Sequence, residues 1–167
     1  MTLLRVAVLV FSACCLISGC ATAPEPAKDY VPLVARFYLE AKPGEAGVAV
    51  TLPHSGVSIT VSPKPVVVEY DIANAEVAQV DLGQCLFVQL NASASRDLYR
   101  LSVGAIGRRL VLALNEQFVG ARPIEEAMEG GTILTFVEWP DAELPALVDR
   151  LKRTSADLTE AARKARR

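Results

Sequence analysis

Apolar and polar residues alternate in short runs through the first half of the chain, and this period of two constrains the fold more than any other feature. Between Val34 and Glu40, every second residue is apolar (Ala35, Phe37, Leu39). Such alternation is typical of a strand with one face on a core. Turn residues separate five further predicted strands, at 47–52, 57–61, 66–70, 77–82 and 85–90.

The second half of the chain mixes helices with strands. Apolar residues recur at helical spacing after Ser93, which is predicted to cap a helix that runs to Ile106. A last helix is predicted from Pro140-Asp141 onward. Strands are expected at 109–114, 117–124 and 132–139, with the loop Asn115-Glu116 between the first two and the turn Gly130-Gly131 before the third. This order predicts an α+β domain, a mostly antiparallel β-sheet with two helices packed on one face.

The N-terminus has the pattern of an export signal. Arg5 precedes an apolar run of twelve residues, 6–17, which is too short to span a bilayer. The run ends in Ile17-Ser18-Gly19-Cys20, which resembles the bacterial lipobox. That resemblance implies cleavage after Gly19 and lipidation of Cys20 by diacylglycerol and a palmitate-like acyl chain. Two or three acyl chains would hold a protein stably on a membrane. An ordinary signal peptide or an uncleaved anchor is the alternative interpretation.

These features divide the chain into four predicted parts. They are a signal peptide (1–19), a Pro-rich tether (20–32), one α+β domain (33–152) and a basic tail, helical or disordered (153–167). Without Arg5, 16 Lys and Arg stand against 19 Asp and Glu, so a nucleic-acid partner is not expected. From Arg150 onward, seven basic residues stand against two acidic ones. A solvated helix end explains this excess, and contact with anionic head groups or cell-wall polymers is the alternative.

Few residues in the sequence form patterns typical of catalytic or metal-binding sites. His54 is the single histidine and lies in a turn-like Pro-His-Ser-Gly stretch, so paired-His metal motifs are excluded and a surface position is expected. Nucleophile-elbow, P-loop and dinucleotide motifs are absent. The sequence therefore predicts neither a cofactor nor an enzyme. The carboxylates that could act in pairs are interpreted as caps, ion pairs or solvated groups; they are Asp71, Asp97, Glu138 and Asp141.

Four other residues have a structural and a functional interpretation each. Cys85, the one cysteine left after the signal and Cys20, lies in an apolar run, so a buried thiol is expected rather than a reactive one. Arg108-Arg109 is predicted to interact with the dipole at a helix C-terminus, with ligand or carboxylate binding as the alternative. Trp139 is predicted to be partly buried at the edge of the core, with an exposed anchor for a peptide as the alternative.

The segment 85–151 resembles the head of the first periplasmic domain of SecD, an accessory subunit of the bacterial protein translocase. The matching parts are the helix end and strand from Leu101 to Asn115, the strand Val119–Ile124 and the Gly130-Gly131 turn. The match departs at Asn115-Glu116, where the family has Asp-Gly, and at 135–139. SecD also has six membrane spans, and nothing after residue 20 approaches one. The resemblance therefore implies the fold of the head and its contact with translocating chains, without the membrane motor.

Together these expectations describe a non-catalytic lipoprotein of the bacterial envelope, anchored through Cys20 and facing the periplasm. Its partner would be a polypeptide or an envelope protein complex, with a link to protein export. The alternative is a structural or assembly lipoprotein that contacts the cell wall or a membrane complex. Ala21 follows Cys20 where lipoproteins retained at the inner membrane often have Asp, so the outer membrane is favoured.

Overall fold

Eight strands and two α-helices make up the part of the chain that the computed structural model describes, residues 29–165. The predicted signal peptide, Cys20 and most of the predicted tether lie outside the described residues. The strands are β1 (Ala35–Glu40), β2 (Val48–Thr51), β3 (Ser58–Val67), β4 (Ile72–Val80), β5 (Gly83–Leu90), β6 (Arg109–Leu114), β7 (Gln117–Pro123) and β8 (Thr132–Thr135). The helices are α1 (Ala92–Val103) and α2 (Leu144–Ala165).

The strands form two antiparallel sheets. A five-stranded sheet has the order β2-β3-β1-β6-β7, and a three-stranded sheet has the order β4-β5-β8. Every strand pair in both sheets is antiparallel. The predicted α+β class, with mostly antiparallel strands and two helices, is confirmed. The strands are divided between two sheets where the sequence indicated one.

One apolar core joins the two sheets and both helices. Phe37 and Leu112 from the large sheet and Val88 and Ile133 from the small sheet are all 0% exposed. α1 adds Ala94 and Leu98 to this core, and α2 adds Leu147, Val148 and Leu151. The alternation predicted for β1 is confirmed, because its buried residues are Ala35, Phe37 and Leu39.

A second, smaller cluster explains why β6 is apolar throughout. Val111 is fully buried with Val50, Ile59 and Val61, whereas Leu110 and Leu112 belong to the main core. Successive side chains of a strand point to opposite faces, so both faces of the large sheet are covered at β6. A strand buried on both faces reads as a continuous apolar run rather than an alternating one.

β3 continues through two prolines that suggested a break. The predicted strands 57–61 and 66–70 are wrong as separate elements, because β3 runs unbroken to Val67 and Glu69–Asp71 forms a 3-10 turn. β2 pairs with β3 only at Ser58–Val61, so Pro63 and Pro65 lie where β3 has a strand on one side alone. The register with β1 also shifts there. Proline is tolerated on open strand sides and at bulges because no ladder N–H is needed.

Several element boundaries also differ from the predicted ones. β4 begins at Ile72, five residues before the strand predicted at 77–82, and α2 begins at Leu144 rather than at Pro140-Asp141. α1 is capped by Asn91, whose Oδ1 accepts from the backbone N–H of Ser93 and Ala94, so the predicted cap at Ser93 is wrong. α1 ends at Val103, because Gly104 is its C-cap. β8 ends at Thr135 rather than at 139, since the chain then turns toward β7 and the N–H of Glu138 donates to the carbonyl of Val119.

The Gly130-Gly131 turn is required by backbone geometry and by space. Both residues have positive φ, 73° and 66°, a region that costs non-glycine residues about 1–2 kcal/mol. Gly131 also packs against α1, because a Cβ there would lie 2.5 Å from the Cβ of Ser95. A Cβ at Gly130 would meet nothing within 4 Å. A side chain is therefore less well tolerated at Gly131 than at Gly130.

We expect Gly131→Ala to lower the free energy of unfolding by about 2–4 kcal/mol, because positive φ and overpacking against α1 add together. Gly130→Ala is the matched control and should cost only about 1–2 kcal/mol, from φ alone. Urea unfolding of both variants measures the difference. Equal losses would contradict the close contact between the turn and α1.

Candidate functional site

The structure places His54 and Glu138 together, but not as a catalytic pair. The Oε2 atom of Glu138 accepts the backbone N–H of His54 at 2.6 Å and of Ser55 at 3.1 Å. Desolvation raises the pKa of Glu138, and the hydrogen bonds from Ser55 and His54 outweigh it, so that the pKa lies below its ordinary value. The carboxylate thus fastens the exposed turn between β2 and β3. His54 is on the surface, as predicted.

The other predicted candidates have structural partners as well. Asp71 accepts the backbone N–H of Val68 at 2.9 Å, and exposed Asp97 pairs with Arg100 at 3.4 Å. Trp139 packs on the core while its Nε1 donates to Glu143 at 3.1 Å, so its predicted place at the core edge is confirmed. Asp141 begins the 3-10 turn before α2. Among residues 29–165, no group of three or more His, Cys, Asp or Glu side chains could hold a metal ion.

Arg108 and Arg109 have a different structural role from the predicted one. The guanidinium of Arg108 donates to the backbone carbonyl of Glu40 and lies 3.6 Å from Glu45. Arg109 donates to the Glu40 carboxylate through Nε at 2.9 Å and through its second terminal nitrogen at 2.6 Å. The hydrogen bond from Arg109 lowers the pKa of Glu40 and raises the pKa of Arg109. The two arginines therefore clamp the end of β1 rather than a helix C-terminus.

Cys85 is 1% exposed in β5, which confirms the predicted buried position. Burial raises the pKa of its thiol, and the positive charge of Arg122 only partly offsets this effect. A thiol with a raised pKa forms little thiolate, the reactive species. Cys85 therefore acts as a small core residue.

A groove lies between β4 and α2 in the described structure. Its volume is about 660 Å³, within the range of ligand-binding clefts. One wall is the chain from Tyr70 to Ala75 together with Asn91, and the other is formed by residues of α2 from Lys152 to Arg163. We call this feature the β4–α2 groove.

Small side chains create the β4–α2 groove. Ala73, Ala156 and Thr159 are among its lining residues, and their small side chains leave space between the two walls. The apolar stripe of α2 holds the helix on the core through Leu151, five residues before Ala156. Residues three and four apart share one side of a helix, which places 152, 156, 159 and 163 together along the groove.

β4 adds hydrogen-bonding capacity to this groove. It is the edge strand of the small sheet, so its outward backbone groups have no strand partner in the described part of the chain. Such an edge can accept an extended segment as an added strand. The first residues of β4 line the groove, and exposed Glu76 lies in β4 just beyond them.

Charge is concentrated at the α2 side of the groove. Lys152, Glu160 and Arg163 are all exposed there. The hydrogen bond from Lys164 lowers the pKa of Glu160. The groove thus combines small side chains, a strand edge and mixed charge.

The sequence did not reveal this groove, because one wall lies in the segment assigned to the tail. Residues 153–165 continue α2 without interruption. The available signal was the stripe of Leu144, Leu147, Val148 and Leu151, which continues to buried Thr154. No helix within residues 29–165 has the length and apolarity needed to cross a membrane.

Two antiparallel sheets and two helices define this chain as an α+β domain. No protein-family model matches the chain, and no curated protein matches it. Solved structures of SecDF do match. A structure of SecDF, described as a membrane component that enhances protein export, has a TM-score of 0.56 and is 16% identical. It covers 74% of this chain and 63% of its own.

A crystal structure of SecDF in its super-membrane-facing form gives the same TM-score of 0.56 at 17% identity. That match covers 72% of this chain and 18% of the SecDF chain. The chain thus spans less than two thirds of the length of either SecDF structure. The predicted resemblance to SecD is confirmed at the level of the fold.

We expect Glu40→Gln to lower the free energy of unfolding by about 1–2 kcal/mol at pH 7, because the clamp with Arg109 is lost. The folded pKa of Glu40 is below 4.5, so the stabilisation is complete above that pH and disappears as the pH falls through the folded pKa. The difference between the wild type and the variant should therefore shrink in acid. Urea unfolding at a series of pH values measures this change.

Glu45→Gln is the matched control for the clamp. Glu45 is 47% exposed and 3.6 Å from Arg108, so its loss should cost less than about 0.5 kcal/mol. An equal or larger loss in this variant would contradict the assignment of the clamp to Glu40.

Proposed function

We propose that this chain is a lipid-anchored protein of the bacterial envelope whose SecD-like domain binds extended polypeptide segments in the course of protein export. The anchor is the lipid on Cys20, and the domain faces the periplasm, at the outer membrane. The observation that carries the proposal is the β4–α2 groove, where an open strand edge lies beside a helix.

The chemistry of the groove supports a polypeptide ligand. Hydrogen bonds from the edge of β4 bind any extended backbone, whatever its sequence, whereas side chains of the ligand enter the space over Ala73 and Ala156. A binding mode of this kind suits many different unfolded segments. The likeness in fold to SecDF, a membrane component that enhances protein export, supports the same class of ligand.

We further propose that the domain has no catalytic activity. The one histidine lies on an exposed turn, its neighbouring carboxylate is bound to backbone N–H groups, and the described cysteine is buried. These positions favour binding over group transfer.

A structural or assembly role is the second candidate, and the end of α2 favours it. Arg163 and Lys164 are exposed on the last turn of the helix, where a cell-wall polymer or a membrane complex could approach. Lys164→Glu should weaken such a contact while leaving polypeptide binding at Ala73 and Ala156 in place, because Lys164 does not line the groove. Co-purification from the envelope distinguishes the two candidates.

We expect Ala156→Trp to reduce polypeptide binding at least tenfold, because the indole fills the β4–α2 groove. The measurement is fluorescence anisotropy with a labelled, unfolded precursor of an envelope protein. Ala146→Trp is the matched control, since Ala146 is exposed on the same helix outside the groove. Equal affinity of both variants and the wild type would reject the groove as the binding site.

We expect Cys20→Ser to move the protein from the membrane fraction to the soluble envelope fraction, because the acyl chains are lost. Cys14→Ser should leave the protein on the membrane, since Cys14 lies in the predicted signal. Cell fractionation and mass spectrometry of the N-terminus measure the outcome. An unmodified N-terminus on the wild-type protein would refute the lipid anchor.

A further inference from the structure

Residues 29–34 bind along α2 before β1 begins, and we call this segment the strap. The backbone N–H of Leu33 donates to Thr154 Oγ1 at 2.9 Å in a buried hydrogen bond. Arg150 donates to the carbonyl of Val31 at 3.1 Å. Leu33 itself is 5% exposed and belongs to the main core. The strap is therefore part of the folded domain.

The outer end of the strap is fixed to α2 by side chains. The hydroxyl of Tyr30 donates to Asp157 at 2.6 Å, and the guanidinium of Arg153 lies 5.8 Å from the centre of the Tyr30 ring. Arg153 is also 3.7 Å from Asp29. A charged hydrogen bond and a cation–π contact together hold this end of the strap on one side of the helix.

The inner end of the strap is fixed to the large sheet. Asn115, in the β6–β7 turn, accepts the N–H of Val34 at 2.8 Å and donates to the carbonyl of Pro32 at 3.1 Å. The strap is thus held at both ends, and its first residue, Asp29, lies beside Arg153 of α2. The point at which the described chain begins is therefore fixed relative to α2.

The length of chain before the strap limits the distance to the lipid. Nine residue steps separate Cys20 from Asp29, and at about 3.3–3.6 Å each they span at most about 32 Å. The point of departure beside Arg153 and Asp157 must therefore stay within that distance of the acyl chains on Cys20.

Charge on the same part of the chain complements a phospholipid surface. From Arg150 to the end of the sequence, seven basic residues stand against Asp157 and Glu160. Asp157 is bonded to Tyr30 and Glu160 to Lys164. Basic residues next to a membrane anchor add attraction to anionic head groups, about 1 kcal/mol each when they lie near the surface.

The geometry points to an orienting role for the strap: it holds the C-terminal half of α2 against the anionic phospholipid surface that anchors Cys20. The β4–α2 groove then opens beside the membrane, and its ligand is a polypeptide close to that surface. This inference rests on the lipid anchor of the proposed function.

Energy transfer on vesicles tests the orientation. The acylated full-length protein carries a donor dye at Ala161→Cys in α2 or at Ser55→Cys in the β2–β3 turn, and the vesicles carry a head-group acceptor. Both positions are exposed. Ser55 is bonded to Glu138, close before α2, and the helix advances about 25 Å from Leu144 to Ala161. Cys85 is buried, so that labelling is selective.

We expect at least twofold higher transfer efficiency from position 161 than from position 55 on vesicles of phosphatidylethanolamine and phosphatidylglycerol. Removing the outer strap contacts, with Asp29→Ala and Tyr30→Ala together, should bring the two efficiencies to the same value. Tyr99→Ala is the matched control, because Tyr99 is an exposed tyrosine on α1, and it should change neither efficiency.

Equal efficiencies at the two positions of the vesicle-bound wild type, or a higher one at position 55, would overturn the orientation and leave the lipid anchor intact. Protein that fails to stay on vesicles would instead refute the anchor, and with it the orientation. The same preference on neutral phosphatidylcholine vesicles would refute the contribution of the basic residues and leave the strap as the orienting element.

Discussion

The shared core between the two sheets is the constraint on which every other feature depends. Phe37, Val88, Leu112 and Ile133 are each fully buried. Phe37 and Leu112 lie in the five-stranded sheet and Val88 and Ile133 in the three-stranded sheet, and no strand of one sheet pairs with a strand of the other. Burying one such side chain stabilises the fold by roughly 1.5–3 kcal/mol. Cys85 is the one cysteine in the described residues and is unpaired. Apolar burial therefore does the work that a disulfide does in many small exported domains.

Local patterns predicted most of the elements, because each depends on neighbours in the sequence. β1 follows its alternation, and the hairpin at Asn115-Glu116 forms without glycine, since both residues adopt positive φ. The predicted strand ends that were wrong have a common cause, because the length of a strand depends on its pairing with strands distant in the sequence. β3 passes Pro63 because β2 is too short to reach it, and β8 stops at Thr135 because Glu138 bonds to β7. No local pattern records the length of a neighbouring strand.

The candidate site was less predictable than the fold for the same reason. Tyr30 and Asp157 are 127 residues apart in the sequence, and Leu33 and Thr154 are 121 apart. Residues 29–32 of the predicted tether and the described part of the predicted tail contact each other in the folded domain. Arg109 shows the same effect, since its partner Glu40 lies 69 residues away and not at the adjacent helix end. The sequence placed Arg109 near a predicted helix end, which suggested the helix C-terminus as its partner. The pairing of β1 with β6 instead brings Arg109 beside Glu40.

α2 contacts the strap, the core and the groove because its three sides carry different residues. Leu147 and Leu151 face the core, Arg153 and Asp157 hold the strap, and residues such as Ala156 line the groove. Spacings of three and four residues keep each set on its own side. The β4–α2 groove and the strap therefore share one helix. A displacement of α2 would change the groove and the contacts of the strap together.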